Sequence, residues 1–208
     1  MAEEIKQEYD IEILDVTDMQ NGFITGTLKN DTAKKIIPAV LEEINQWKAK
    51  KNCIIVATRD THFKDSYVNS VEGKLLPLHC EYGTHDWEIE ASIMKALEEA
   101  GAKFVDKHNF GYINWPKVLF NIDSTDQDAV AALLAGKKIR IRIVGTCTDI
   151  CNLSQLVIFR AWFPNADIEI VDGACAASFE DESPKTRDAA FVIANSMLCK
   201  VVPTVYKG

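Results

Sequence analysis

Short runs of β-branched and other apolar residues alternate along this chain with stretches of helical periodicity, and this alternation restricts the fold more than any other feature. Strands are predicted at 11–16, 53–58, 103–105, 139–144, 168–171 and 201–202. Helices are predicted at 34–51, 90–100, 126–135, 149–163 and 184–198, the last with Ser183 as N-cap and Pro184 at its first position. The pattern predicts an α/β protein, a three-layer α/β/α fold around a central six-stranded, mostly parallel sheet.

Length and composition favour one domain and exclude some partners. The 208 residues, 47% of them apolar, suit a single domain over 1–208 with a large core. A formal charge of -8 and only short basic runs argue against a nucleic acid partner. Residues 1–10 are polar and acidic, and no apolar run approaches the length of a membrane span. We therefore expect a soluble cytoplasmic protein with no membrane partner.

Four of the six cysteines have apolar or small neighbours in the sequence, and these are Cys53, Cys80, Cys175 and Cys199. Cytosolic thiols stay reduced, and free cysteine behaves as a small hydrophobic residue. We predict that these four are buried and do not form disulfides.

Reactive side chains follow four successive predicted strands. Asp18 follows the first, Asp60 and His62 end the second, Lys107 follows the third, and the fourth leads through a glycine to Cys151. Ligands of open parallel sheets bind beyond the carboxyl ends of the strands. The long aperiodic stretch 61–87 adds a loop of the kind that often carries a site. The sequence therefore predicts an active site at this edge of the sheet.

Cys151 is the candidate nucleophile. Thr148 is a good N-cap, which would put Cys151 in the first turn of a helix, where backbone N–H groups are unpaired. The helix dipole and the Lys107 cation are expected to lower the thiol pKa, and the free N–H groups would hold an oxyanion. The alternative is an inert cysteine packed under the start of a helix.

Asp18 and Lys107 are the candidate partners of this thiol. A carboxylate at Asp18 would accept the thiol proton if burial raised its pKa, and Lys107 would orient that carboxylate and balance negative charge. Each also has a simpler interpretation: Asp18 would end the strand in an Asx-turn, and Lys107 would be an exposed lysine. We expect His85 and His108 to be surface groups.

Asp60, His62 and His79 form a candidate metal centre. One carboxylate and two imidazoles suit zinc, iron or manganese, with zinc favoured, and three protein ligands leave positions open for water or substrate. The alternative is that Asp60 caps a turn and each histidine makes local hydrogen bonds.

Two segments carry a family resemblance that extends from Asp18 to about Ser178. Asp18-Met19-Gln20-Asn21-Gly22-Phe23 and Gly145-Thr146-Cys147-Thr148-Asp149-Ile150-Cys151 resemble motifs of the isochorismatase-like cysteine hydrolases, and within them of the nicotinamidases. The resemblance implies that Asp18, Lys107 and Cys151 are catalytic. It also implies a cis peptide at Thr146–Cys147 and an oxyanion hole formed by the N–H groups of Cys147 and Cys151.

The same resemblance implies how a substrate would bind. Nicotinamidases have an Asp/His/His metal centre, and Asp60, His62 and His79 fall on its positions, so the implied reaction is the hydrolysis of nicotinamide or another small amide. Phe23, Leu76 and Phe110 would line the pocket, and the family implies a homo-oligomer.

The chain departs from the family pattern around the metal ligands and after the nucleophile. Thr61 and Phe63 replace the tryptophan and proline around the first ligand pair, Leu76 replaces a tryptophan that would form a pocket wall, and Asn152 replaces a small apolar residue. Two rival functions stay open. One is a related hydrolase of another amide or an N-carbamoyl compound, and the other is a redox or metal-sensing protein built on Cys147 and Cys151.

Overall fold

The computed structural model describes residues 9–123, 125–178 and 185–208, and its sheet contains all six predicted strands. The strands are β1 (Ile11–Thr17), β2 (Cys53–Asp60), β3 (Lys103–Lys107), β4 (Ile139–Thr146), β5 (Asp167–Ala176) and β6 (Lys200–Pro203). They lie in the order β3-β2-β1-β4-β5-β6, and every pair of neighbours is parallel. The sequence prediction of a mostly parallel sheet is confirmed.

The helices lie between the strands, and they include short helices that the sequence pattern did not predict. They are α1 (Asn21–Ile24), α2 (Asp31–Lys35), α3 (Ile37–Lys48), α4 (Lys64–Tyr67), α5 (Ala91–Glu99), α6 (Trp115–Phe120), α7 (Gln127–Leu134), α8 (Leu153–Trp162) and α9 (Lys185–Ser196). A 3₁₀ turn covers Glu72–Lys74 and a π-helical turn covers Thr148–Asn152. The predicted caps of the last helix, Ser183 and Pro184, lie outside the described residues.

The single helix predicted at 34–51 is wrong, because the chain forms two helices that meet at Ile36. Pro38 stands in the first turn of α3. Proline has no N–H to donate to the carbonyl four residues earlier, so it starts a helix more readily than it continues one.

Two apolar layers cover the two faces of the sheet. Neighbouring residues of a strand point to opposite faces, so Leu14 packs with α3 and α5 on one face while Ile13 packs with α6 and α8 on the other. Trp47 is the largest fully buried side chain of the first layer, and Trp115, stacked on Phe159, that of the second. The predicted three-layer architecture is confirmed.

The cysteines agree with the sequence prediction except at one position. None of the six, all in the described part of the chain, forms a disulfide. Cys80, Cys175 and Cys199 are buried, whereas Cys53 is half-buried and packs at the edge of the first layer. Among the described residues, no helix is both long and apolar enough to cross a membrane.

Candidate active site

Asp18, Lys107 and Cys151 meet at the carboxyl edge of the sheet. The Lys107 Nζ lies 2.7 Å from an Asp18 carboxylate oxygen and 3.6 Å from the Cys151 Sγ. All three side chains are at most 5% exposed. The three predicted catalytic residues therefore share one buried cluster, with the lysine between the acid and the thiol.

The backbone around Asp18 holds its carboxylate in place. Asp18 follows β1 with a φ of +47°, a left-handed conformation that aspartate tolerates better than most residues. Its N–H donates to the Thr58 carbonyl on β2 at 3.2 Å, and the Thr58 hydroxyl donates to its other carboxylate oxygen at 2.7 Å. Asp18 is thus fixed to the neighbouring strand through both main chain and side chain.

The surroundings of Asp18 prepare it to accept a proton. Burial raises the pKa of Asp18, and the charge of Asp60 adds to this, while Lys107 opposes it. Burial alone would lower the pKa of Lys107, but the charges of Asp18 and Asp60 raise it well above its usual range. Lys107 therefore stays cationic, and Asp18 is a stronger base than Asp60.

Two expectations for Cys151 are wrong. It lies in the π-helical turn Thr148–Asn152 rather than in the first turn of an α-helix, which begins only at Leu153. Burial also raises the pKa of its thiol well above the ordinary value, although Lys107 opposes the shift. The nearby cation does not outweigh the loss of water, because it is already paired with Asp18. The resting cysteine is a thiol rather than a thiolate.

The π-helical turn that carries Cys151 is hydrogen-bonded to β4 and to the region just beyond β5. Asp149 accepts hydrogen bonds from the Ser178 N–H at 2.7 Å and the Ser178 hydroxyl at 2.5 Å, just beyond β5. The Asn152 side chain is buried and donates to the Gly145 carbonyl on β4 at 3.1 Å, which gives this departure from the family pattern a structural role. The Thr146–Cys147 peptide is cis, as the resemblance implied.

Asp60, His62 and His79 also meet as predicted. One carboxylate oxygen of Asp60 lies 3.1 Å from the His62 Nε2 and 3.3 Å from the His79 Nε2. The other oxygen lies 3.5 Å from the Lys107 Nζ. Asp60 therefore links the histidine pair to the cysteine cluster.

Glu72 joins this group, and sequence reasoning missed it. Its carboxylate oxygens lie 3.8 Å from the His62 Nε2 and 3.6 Å from the His79 Nε2, and one donor atom from each of the four residues lies within 4.8 Å of the others. Burial and the charge of Asp60 raise the pKa of Glu72. One buried and one half-buried carboxylate facing two imidazoles form a set that a divalent cation would neutralise.

The hydrogen bonds of His79 also fit a metal ligand. Its Nδ1 lies 2.9 Å from the Pro77 carbonyl, which only an N–H can satisfy, and the Tyr67 hydroxyl lies 3.2 Å from the same nitrogen. A proton on Nδ1 leaves the Nε2 lone pair directed at the cluster, as ligating histidines require.

A pocket of about 390 Å³ opens onto both clusters. Cys151, Cys147, Asp60, Glu72 and His79 form its inner side. The apolar walls include the three residues predicted to bind substrate, Phe23, Leu76 and Phe110. Phe23 also packs edge-on against His79 with the ring centroids 5.7 Å apart. His85 is exposed, as expected, and the exposed His108 lies against the Thr61 carbonyl at 2.9 Å.

A parallel sheet covered on both faces, with its reactive groups gathered at the carboxyl edge, is a three-layer α/β architecture. Comparison with known proteins narrows this class. The family model "Isochorismatase domain" matches residues 12–202. The chain therefore belongs to the isochorismatase family and has the fold of its hydrolases.

Solved structures agree with this assignment. A nicotinamidase from Bacillus subtilis is 20% identical, with a TM-score of 0.70 and coverage of 92% of this chain and 98% of that one. A pyrazinamidase from Pyrococcus horikoshii in complex with zinc is 25% identical, with a TM-score of 0.67 and the same coverage. An N-carbamoylsarcosine amidase from Thermoplasma acidophilum is 19% identical, with a TM-score of 0.66 and coverage of 95% and 98%. No curated protein sequence matches the chain.

Proposed function

We propose that this protein hydrolyses a small carboxamide, with nicotinamide as the leading candidate, through a thioester on Cys151. The observation that carries the proposal is the position of the Lys107 Nζ, which lies 2.7 Å from Asp18, 3.6 Å from Cys151 and 3.5 Å from Asp60. One ammonium group thus contacts the candidate base, the nucleophile and a candidate metal ligand. The amidases named among the similar structures support the same reaction class.

Acylation begins with proton transfer from the Cys151 thiol to Asp18, whose pKa is raised by burial. The sulfur then attacks the carboxamide carbon and forms the S–C bond, while the C=O electron pair moves to oxygen. The N–H groups of Cys147 and Cys151 are the proposed donors to this oxyanion. Asp18 returns the proton to the amide nitrogen, and the oxyanion re-forms the C=O bond as the C–N bond breaks. Ammonia leaves, and a thioester remains on Cys151.

Deacylation uses Asp18 in the same way, with water as the nucleophile and the Cys151 sulfur as the leaving group. Asp18 takes a proton from a water molecule, the water oxygen attacks the thioester carbon, and the C–S bond breaks. The carboxylic acid leaves, and the sulfur regains its proton. Lys107 stays cationic throughout and offsets the negative charge that develops on sulfur and oxygen.

Asp60, His62, Glu72 and His79 are the proposed ligands of a divalent cation, zinc first, with iron and manganese as alternatives. When bound, the cation would supply a Lewis acid that holds a polar atom of the substrate or a water molecule at the inner side of the pocket. The apolar walls formed by Phe23, Leu76 and Phe110 would pack against the ring of an aromatic amide.

Ammonia release from nicotinamide, before and after chelation, tests this proposal. Wild-type protein should release ammonia, chelation should suppress it, and Cys151→Ala should abolish it while the melting temperature stays near that of the wild type. Cys53→Ala is the matched control, because Cys53 begins β2 at the far end of the strand from the site. Ammonia release by Cys151→Ala would rule out the thioester route.

A second candidate substrate is an N-carbamoyl amino acid. Lys29 lines the pocket and would pair with the carboxylate of such a substrate. Turnover of N-carbamoylsarcosine but not of nicotinamide, with weaker binding in Lys29→Met, would favour this candidate.

A further inference from the structure

Gln20 is a completely buried glutamine. Among the described residues, no hydrogen bond joins its side chain to Asp18, Lys107 or Cys151. Its Oε1 accepts from the Asp60 N–H at 2.7 Å, and its Nε2 donates to the Asp60 carbonyl at 2.9 Å. The same Nε2 donates to the Trp87 carbonyl at 2.8 Å. One amide group therefore satisfies both main-chain groups of Asp60 and links them to a distant turn.

That turn is itself held firmly. The neighbouring Asp86 carboxylate accepts hydrogen bonds from the Thr27 N–H at 3.1 Å and the Cys80 N–H at 3.2 Å. The Trp87 indole N–H donates to the Thr61 hydroxyl at 2.9 Å. Gln20 thus connects Asp60 to a part of the long loop that several hydrogen bonds hold in place.

We propose that Gln20 is a positioning residue for the metal centre, which fixes the Asp60 carboxylate by holding the Asp60 main chain on both sides. The position of Asp60 matters because one of its carboxylate oxygens faces both His62 and His79, while the other faces Lys107. A carboxylate that must face two imidazoles and an ammonium group at once tolerates little movement. Groups that orient metal ligands in this way are commonly worth about 10- to 100-fold in metal affinity.

A buried amide can do this where an apolar side chain of the same length cannot. Methionine in place of Gln20 would leave the Asp60 N–H, the Asp60 carbonyl and the Trp87 carbonyl without their partner in a buried site. Glutamate would keep an acceptor for the Asp60 N–H but would oppose the two carbonyls with a negative charge. Both replacements are expected to let Asp60 shift.

The experiment is a competition titration of the metal-free full-length protein with Zn²⁺ and a chromophoric chelator, which needs no substrate. Gln20→Met and Gln20→Glu should each bind Zn²⁺ at least about tenfold more weakly than the wild type. Gln155→Met is the matched control, since Gln155 is equally buried and holds the Tyr112 N–H and the Trp115 indole, away from the metal ligands. It should lower the melting temperature of the metal-free protein and leave Zn²⁺ affinity within about twofold.

Two results would overturn the inference: Zn²⁺ affinity in both Gln20 variants equal to that of the wild type, or a loss in Gln155→Met as large as theirs. The second would mean that any buried glutamine affects the centre through stability alone. The inference rests on the metal centre of the proposed function but not on its chemistry. A wild-type protein that binds Zn²⁺ and hydrolyses no amide would refute the proposed reaction and leave the role of Gln20 to be decided by the titration.

Discussion

Lys107 is a fully buried cation that contacts two carboxylates and one thiol, so its charge should matter for both turnover and stability. Lys107→Met keeps the length of the side chain and removes the charge. We expect kcat to fall by about 10²-fold or more, because the negative charge that develops on sulfur and oxygen would lose the ammonium group that contacts Cys151. Steady-state ammonia release measures this.

The stability of the same variant gives an independent check. Lys107→Met leaves Asp18 and Asp60 buried without their cation, and breaking a buried pair in this way typically costs about 3–5 kcal/mol. Adding Asp18→Asn to Lys107→Met should recover part of that loss in denaturant unfolding, since one uncompensated charge is removed. No recovery would mean that Asp18 is already neutral without the lysine.

Asp15 is a buried carboxyl that the proposed mechanism does not use. It lies inside β1 and is 0% exposed, and neither of its oxygens has a well-formed hydrogen bond among the described residues. Burial, together with the charge of Asp18, raises the pKa of Asp15 well above its ordinary value of 3.8. The folded state therefore holds the Asp15 proton more tightly than the unfolded chain does.

The stability that Asp15 contributes should decrease as the pH rises. A raised pKa in the folded state stabilises the protein below the unfolded pKa and loses that stabilisation as the pH rises towards the folded pKa. Relative to Asp15→Asn, the wild type should lose about 1.4 kcal/mol per pH unit above roughly pH 4. Urea unfolding of both proteins, from about pH 4 to about pH 8, measures the difference in the free energy of unfolding.

Asp128→Asn serves as the control for Asp15, because Asp128 is an exposed residue of α7. Its stability difference from the wild type should not change with pH. A constant difference for Asp15→Asn as well would mean that Asp15 is ionised in the folded protein.

At the scale of secondary structure elements, the strands were predictable and several helix boundaries were not. Strands such as Ile139–Thr146 carry β-branched residues at their buried positions, and these residues mark a strand locally. The break at Ile36 follows from Pro38 in the first turn of α3, a local signal that apolar periodicity does not include. The π-helical turn at Thr148–Asn152 is not marked by periodicity either, so one predicted helix divided and another began four residues late.

The site shows the same division between local and tertiary information. Asp18, Asp60, Lys107 and Cys151 were predictable because each follows a strand whose carboxyl end must lie at one edge of the sheet. Glu72 was not, because it lies in a 3₁₀ turn within the aperiodic loop and reaches the histidines only through the path of that loop. No local pattern distinguishes it from the other acidic residues of the chain.

The π-helical turn that carries Cys151 depends on the clamp between Asp149 and Ser178. Asp149→Ala removes the acceptor of both bonds, and hydrogen bonds to a charged group contribute about 1.5–3 kcal/mol each. With both bonds removed, we expect a loss of stability of about 3–6 kcal/mol and a lower kcat, because the turn would no longer be held against the end of β5. Ser178→Ala should cost less in both measurements, since the backbone N–H still donates to Asp149. An equal loss in the two variants would mean that the Ser178 hydroxyl carries the clamp.

Across the whole molecule, the two ends of the sheet carry different charged groups. The carboxyl edge holds the candidate active site. Near the amino end, Glu12 accepts from Lys50 at 3.0 Å and also pairs with Arg140. On the same face, Arg142 bonds Glu43 at 3.0 Å and Glu169 at 2.6 Å. These ion pairs lie on the strands well before the carboxyl edge that carries the catalytic groups, so their effect on stability can be separated from catalysis.

Acid denaturation should begin at this amino end. Burial alone would raise the pKa of Glu12, but its bonds to Lys50 and Arg140 outweigh burial and hold the pKa below its ordinary value of 4.5. A lowered pKa in the folded state contributes stability above the unfolded pKa, and that contribution is lost as the pH falls below about 4.5 towards the folded value. Glu12→Gln should therefore be less stable than the wild type at neutral pH and should approach it as the solution is acidified.

Glu99→Gln is the control, because Glu99 belongs to an exposed pair with Lys48 at 3.8 Å and should contribute little at any pH. If thermal melting from neutral to acid pH kept a constant gap between Glu12→Gln and the wild type, Glu12 would stabilise the fold by packing rather than by charge.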